Sequence, residues 1–103
     1  MTISVLTPDK ELFQGEITSV KVPGSKGQFQ ILNNHAPIVS SLDEGKVVIV
    51  TAAGEYRYFD EESGSVKTGT ESGRSVIFQI GGGFVEVLNN KVSLLVQGVH
   101  RVQ

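Results

Sequence analysis

The sequence contains no cysteine and no tryptophan, and neither sign of charge dominates it. The absence of cysteine excludes a disulfide framework and a thiolate nucleophile, and it permits a reducing compartment. The formal net charge of -2 and the pI near 5.6 give no electrostatic footprint for an anionic partner. Binding to nucleic acid through its phosphate backbone is therefore not expected.

Long apolar runs are also missing. No stretch approaches the roughly 20 apolar residues that a membrane-spanning helix needs. The start of the chain, MTISVLTPDKELF, lacks the basic residues and apolar run of a signal peptide. We expect a soluble chain that reaches a membrane only through a partner, without direct insertion. Its 103 residues predict a single domain, 1–103, with one core.

Short apolar runs with a period of two recur along the chain, and no convincing amphipathic helical window interrupts them. About ten such strand candidates predict an all-β fold, an antiparallel two-sheet β-sandwich. One predicted strand, EITSVKV, places Val20 and Val22 on one face and Ile17 on the other. The predicted core comprises Ile3, Val5, Val20, Val22, Ile31, Val48, Val50, Phe78, Ile80, Val87, Leu94 and Val96.

Several local patterns predict specific turns and strand ends. The apolar pair Leu12 and Phe13 predicts a short strand that ends at Gly15. Four consecutive apolar residues, VVIV at 47–50, favour a strand covered on both faces. Two strand-like runs flank Asn89 and Asn90, which predicts a two-residue hairpin turn with positive φ. The triple glycine at 81–83 predicts a bulge or a close crossing of strands rather than a phosphate cradle, since no helix follows it.

Residues 60–75 are polar, with Val66 as their one apolar residue. Such a composition cannot bury enough apolar surface to offset its ordering entropy. We expect either an exposed, mobile loop or a long polar hairpin tip, and an insertion without a function of its own is the simplest interpretation.

The segment 27–38, GQFQILNNHAPI, predicts a sharp corner between two strands. Asn33 and Asn34 tolerate positive φ, and Pro37 pushes the preceding residue towards an extended conformation. His35 has no Cys, Asp or Glu at ligand spacing, so we expect it to donate to backbone carbonyls of the corner rather than bind a metal.

No pattern of catalytic residues emerges from the rest of the chain. The acidic clusters fall in polar turns, where nothing apolar raises a carboxylate pKa for acid or base catalysis. No serine lies in a nucleophile elbow, and no phosphate-binding loop is present. We expect a non-catalytic protein without cofactor or metal, and without ATP binding.

Several fragments in order nevertheless resemble one family, the epsilon subunits of F-type ATP synthase. They are VLTPD at 5–9, LFQG at 12–15, VPGSKGQFQIL at 22–32, NHAP at 34–37 and GGFVEV at 82–87. The resemblance implies a non-catalytic β-sandwich of the rotating central stalk, which couples the gamma subunit to the c-ring during proton-driven ATP synthesis. It also implies a peripheral position at the cytoplasmic face of a bacterial inner membrane.

The resemblance assigns partner contacts to two segments. It implies that the loop 24–28 meets the c-ring and that the corner 33–37 lies near the gamma contact. The residues singled out are Gly24, Ser25, Lys26, Gly27, Gln28, Asn34, His35 and Pro37.

Two features depart from the family pattern. Many members continue into a pair of C-terminal helices, whereas only residues 97–103 follow the last predicted strand here. The polar stretch 60–75 is the second departure. The competing interpretations are a stand-alone binding module for carbohydrate or a protein surface, with Tyr56 and Tyr58 as its same-face aromatics, and a small β-barrel enzyme.

Overall fold

Eleven β-strands and no helix make up residues 1–102 of the computed structural model, which are the residues that it describes. Gln103, the last residue of the predicted domain, lies outside them. The strands are β1 (Thr2–Leu6), β2 (Glu11–Gly24), β3 (Gly27–Leu32), β4 (Ile38–Leu42), β5 (Gly45–Thr51), β6 (Tyr56–Asp60), β7 (Ser65–Gly69), β8 (Ser75–Ile80), β9 (Gly82–Leu88), β10 (Lys91–Gln97) and β11 (His100–Arg101). The predicted all-β sandwich is confirmed.

The long strand β2 joins the two layers of the sandwich. Its first half pairs with β1 and β6, and its second half pairs with β3 and β5. One layer continues through β1, β10, β9 and β4, and the other through β5, β8 and β11. All pairings are antiparallel except that of β1 with β10, which is parallel and which the sequence did not predict.

Gly15 does not end a strand, contrary to the prediction. It lies within β2, directly below Tyr56 of β6. A Cβ atom at Gly15 would clash with the Tyr56 Cβ, so the glycine permits β6 to pack closely against β2. The ring of Tyr56 stacks on Phe13 with centroids 5.3 Å apart. Gly15 therefore marks a close approach of two strands rather than the end of one.

The predicted core is correct in ten of its positions, which are buried, and wrong for Val48 and Val50. In β5 the buried residues are Val47 and Ile49, whereas Val48 and Val50 lie on the outer face and are half-buried. Val48 stands beside Lys21 and Ile77 of the neighbouring strands, which shield it only from the sides. The strand is therefore fully covered on one face, not on both.

Strand β2 also departs from a strict alternation of faces. Its register shifts between Ile17 and Ser19, so that Ile17 and Val20 both face the core while Thr18 is exposed. A bulge adds one residue to a strand and reverses its inside and outside positions beyond that point. The prediction that Ile17 and Val20 lie on opposite faces is wrong for this reason.

Asparagine and glycine conformations bear out one predicted turn and one predicted close crossing of strands. Asn89 and Asn90 have φ angles of 51° and 62° and close the hairpin between β9 and β10. Gly83 has φ of 151°, and a Cβ atom there would clash with the Leu95 carbonyl oxygen. The triple glycine is thus a close crossing of strands, as predicted.

The polar stretch forms the hairpin of β6 and β7, with an exposed turn at 61–64. Of the two expected structures, the long polar hairpin tip is the one present. The side chains of Lys67 and Asp60 form an ion pair of 2.7 Å next to the turn. After β7, the chain folds back onto Thr51, whose buried hydroxyl donates to the Glu71 carbonyl at 2.5 Å and accepts from the Arg74 N–H at 2.9 Å.

Candidate partner-binding surface

The loop 24–28 is the tip of the hairpin between β2 and β3, and it is fastened to β4. The backbone N–H of Ser25 donates to the Ser41 carbonyl at 3.1 Å. The Ser25 hydroxyl lies 2.8 Å from the Ser41 hydroxyl and donates to Asp43 Oδ1 at 3.1 Å. Lys26 stands exposed at the tip and forms no ion pair with any residue of the described chain. The loop therefore presents one free ammonium group from a fixed backbone.

The corner 33–37 is held by side-chain amides. Asn34 adopts φ of 62°, as predicted, and its N–H donates to Asn90 Oδ1 at 2.8 Å. The Asn90 amide nitrogen in turn donates to Asn33 Oδ1 at 2.9 Å. His35 Nδ1 lies 2.7 Å from the Ala36 carbonyl oxygen, which matches the expected bond to a corner carbonyl.

The two predicted contact segments lie at opposite ends of β3. This strand has six residues, and a strand rises about 3.3 Å per residue, so the loop and the corner are roughly 20 Å apart. The structure does not bring them into one site. Each segment can therefore meet a different partner.

Between the two segments lies a surface that the sequence interpretation missed. We call it the apolar face; it consists of large apolar side chains that are more than half exposed on the outer side of β4, β9 and β10. Its members are Val39 (72% exposed), Phe84 (57%), Leu88 (51%) and Leu95 (53%). Phe84 pairs directly with Leu95 across the strands. Glu86, which is exposed and pairs with Val39, lies on the same outer side between Phe84 and Leu88, so one carboxylate interrupts the apolar face. A group of exposed large apolar side chains marks an interaction site more often than a scatter of single residues does.

Two grooves connect the apolar face to the predicted segments. A groove of about 240 Å³ is lined by Pro37 of the corner together with Val39 and Leu88. A larger one of about 840 Å³ is lined by Ser25 of the loop together with Phe84 and Leu95. The apolar face is thus continuous with the corner on one side and with the loop on the other.

A sequence signal for the apolar face was present in β9. In FVEVL, apolar residues occupy both parities, because Phe84 and Leu88 alternate with the buried Val85 and Val87. A strand with one solvated face should carry polar residues at the outward positions. The departure from that alternation predicts a second covered face.

No catalytic arrangement accompanies these surfaces. Within residues 1–102, no group of three or more His, Cys, Asp or Glu side chains lies close enough to hold a metal ion. The shifted pKa values belong to Asp60, Lys67 and Arg74, which lie in and after the β6–β7 hairpin and away from the apolar face. No helix in this part of the chain is long and apolar enough to cross a membrane.

The tyrosine pair does not form a sugar-binding platform. Tyr56 and Tyr58 share a face, with ring centroids 6.0 Å apart. Tyr56, however, is only 2% exposed because it is stacked on Phe13 in the core. The exposed aromatic surface that a carbohydrate module requires is therefore not provided by this pair.

Comparison with known sequences identifies relatives. The family model for the β-sandwich domain of the ATP synthase delta/epsilon chain matches residues 1–64. The ATP synthase epsilon chain of Salinibacter ruber is 32% identical over 99 residues, which cover 96% of this chain and 59% of the relative. That of Chlorobaculum tepidum is 39% identical over 98 residues, which cover 95% of this chain and 90% of the relative.

Comparison with solved structures supports the same fold. A chain in the mitochondrial ATP synthase of Euglena gracilis (OSCP/F1/c-ring) has a TM-score of 0.71 at 16% identity, covering 96% of this chain and 51% of that chain. A chain in the central stalk/c-ring structure of Tetrahymena thermophila mitochondrial ATP synthase has a TM-score of 0.65 at 18% identity. The match covers 97% of this chain and 65% of that chain. At these identities the similarity establishes the fold alone.

Proposed function

Since the chain belongs to the family of ATP synthase epsilon chains, we propose that it is a non-catalytic central-stalk subunit of a proton-translocating F-type ATP synthase. In this role it couples the gamma subunit to the c-ring while the stalk rotates. The observation that carries the proposal is the apolar face, which is continuous with two anchored polar segments at opposite ends of β3. Such an arrangement serves binding to two partners and offers no chemistry.

The gamma subunit binds the apolar face in this proposal. Val39, Phe84, Leu88 and Leu95 are each more than half exposed, and their burial is the main source of free energy available to an interface here. The corner, with Asn34, His35 and Pro37, borders this face and supplies polar groups at its rim. An apolar centre with a polar rim is the usual anatomy of a protein interface.

The c-ring meets the loop 24–28, which supplies Gly24, Ser25, Lys26, Gly27 and Gln28. The hydrogen bonds from Ser25 to β4 hold the loop on a rigid scaffold, which suits a contact that must transmit torque. Lys26 contributes a single positive charge that can meet an acidic or carbonyl-rich loop of the ring. A rim ion pair of this kind adds only ~0–1 kcal/mol, so shape and backbone contacts supply most of the specificity.

The location follows from the partners. The chain is placed at the cytoplasmic face of a bacterial inner membrane as a peripheral member of the complex, held there by gamma and the c-ring. ATP is not a ligand in this role. A stand-alone binding module would use the same apolar face, and co-purification with gamma distinguishes the two functions.

Cross-linking from single cysteines tests the proposal directly, because the 103-residue chain has no cysteine. In the reassembled complex, Lys26→Cys is expected to reach the c-ring and His35→Cys to reach gamma. Val66→Cys, on the exposed strand β7, is the matched control and is expected to reach neither. Failure of both Lys26→Cys and His35→Cys to reach either partner would refute the assignment.

A further inference from the structure

Strand β3 has one edge that is paired and one that is not. It pairs with β2 along its whole length, and no other strand within residues 1–102 pairs with it. Edge strands are usually protected by charge or proline. Accordingly, β7 carries Lys67, and β11 carries His100 and Arg101. The sequence of β3, GQFQIL, contains neither a charged residue nor a proline.

Strand β4 is also uncharged, but part of its second edge is occupied. Its last residue, Leu42, pairs with Gly24, and Ser25 donates to the Ser41 carbonyl. The loop between β2 and β3 therefore closes that end of β4. Strand β3 is left as the open, unprotected edge.

The hydrogen bonding of Pro23 shows which backbone groups of β3 point towards its open edge. Proline has no N–H, and the Pro23 carbonyl accepts from the Asp43 N–H at 2.8 Å, so it does not bond to Gln28 opposite. Bonded and non-bonded pairs alternate in an antiparallel ladder. Gln28, Gln30 and Leu32 therefore direct their backbone groups away from β2. Of these groups, the Leu32 carbonyl already accepts from the His35 N–H.

We propose that β3 pairs with β3 of a second copy of this chain, antiparallel and about a two-fold axis at Gln30. In this register the two Gln30 residues exchange both backbone hydrogen bonds. The Leu32 N–H of each copy donates to the Gln28 carbonyl of the other, which leaves the bond between His35 and Leu32 intact. The interface is isologous, as expected for a symmetric dimer.

The side chains fit the same register. Phe29 lies opposite Ile31 on the inner face, where Ile31 is buried and Phe29 packs partly against the core. Gln28 lies opposite Leu32 on the outer face, where Leu32 is 53% exposed. Each apolar inner residue therefore meets an apolar residue, and Leu32 gains cover from the Gln28 side chain.

The strength of the pairing is limited by its length. A strand of six residues buries less surface than a stable interface of standard size, so the dimer is weak and depends on concentration. The proposed dimer is a property of the free chain. It goes beyond the proposed stalk function and does not depend on it.

Sedimentation velocity tests the proposal with a matched pair of variants. The wild-type weight-average mass is expected to rise from 11.1 kDa towards twice that value as concentration increases. Gln30→Lys, which places two like charges at the two-fold axis, is expected to raise the dissociation constant by about tenfold or more. Thr68→Lys adds the same charge on the edge strand β7 and is expected to leave it unchanged.

A mixture and an exchange measurement complete the test. Gln30→Glu alone is expected to be monomeric, and mixing it with Gln30→Lys is expected to restore the dimer, in a salt-sensitive form. Amide exchange at Gln30 is expected to slow with concentration, while exchange at Phe29, which already bonds to β2, is not. A wild-type chain that stays monomeric up to about 1 mM would overturn the proposal. A dimer that Gln30→Lys leaves intact, or that Thr68→Lys disrupts equally, would also overturn it.

Discussion

The backbone N–H of Asn34 donates a hydrogen bond of 2.8 Å to the side-chain carbonyl of Asn90, 56 residues further along the chain. Both residues have φ of 62°. The turn between β3 and β4 and the turn between β9 and β10 each contain a residue with left-handed φ. The hydrogen bond between Asn34 and Asn90 joins these two turns. The corner that carries the candidate residues Asn34 and His35 is fixed by this contact.

Replacing Asn90 by glycine should loosen the corner. Asn90→Gly keeps the positive φ accessible and removes the amide that bonds Asn33 and Asn34. The expected loss is about 1 kcal/mol of the free energy of unfolding in urea. Asn89→Gly is the control, since Asn89 has φ of 51° but none of these bonds. Equal effects of the two substitutions would show that the amide contributes nothing.

Replacing Thr51 by valine should destabilise the segment that follows the β6–β7 hairpin. Thr51 is fully buried, and its hydroxyl serves both the Glu71 carbonyl and the Arg74 N–H. Valine has a similar shape and leaves both groups without this partner, at a cost of about 1–3 kcal/mol. Thr18→Val, at an exposed hydroxyl 3.4 Å from the Val50 carbonyl, should stay within about 0.5 kcal/mol of the wild type. Chemical denaturation of both variants measures the difference.

The register of β5 predicts a contrast between adjacent valines. Val47→Ala removes two methyl groups from the core and should cost about 2 kcal/mol, as measured by urea unfolding. Val48→Ala acts at the half-buried outer face and should cost less than half as much. A larger loss of unfolding free energy in Val48→Ala than in Val47→Ala would mean that Val48, and not Val47, faces the core.

The ion pair between Asp60 and Lys67, next to the turn of the β6–β7 hairpin, predicts how Asp60 titrates. The hydrogen bond that Lys67 donates to Asp60 lowers the pKa of Asp60 below its ordinary value of 3.8, and the same bond raises the pKa of Lys67. The contribution of Asp60 to stability is thus present above pH 3.8 and is lost as the pH falls through the lower pKa of the folded state. In Lys67→Gln, the Asp60 pKa measured by NMR should rise towards 3.8. An unchanged pKa would assign the shift to the turn rather than to Lys67.

The sequence predicted the elements whose cause is local. The hairpin at Asn89 and Asn90 and the corner at Asn34 follow from residues that tolerate positive φ, and the core residues predicted in β3, β8 and β10 are buried. These features depend on neighbours along the chain. They could be predicted without a structure.

The remaining features depend on distant parts of the chain. The bulge after Ile17 reverses the faces of β2, and Gly15 is required by Tyr56, which lies on another strand. The parallel pairing of β1 with β10 joins opposite ends of the sequence. The apolar face assembles from three strands, so the departures from alternation in β9 and, at Leu95, in β10 do not by themselves show that these side chains share one surface.

Titration calorimetry of the chain into the isolated gamma subunit tests whether the apolar face binds gamma. We expect saturable binding of one chain to one gamma, weakened at least about tenfold by Val39→Glu, which places a second carboxylate opposite Glu86 in the apolar face. Val66→Glu adds the same charge at a valine that is 61% exposed on β7, and it should bind like the wild type. Absence of binding by the wild type, or equal loss from both substitutions, would contradict the assignment of the apolar face to gamma.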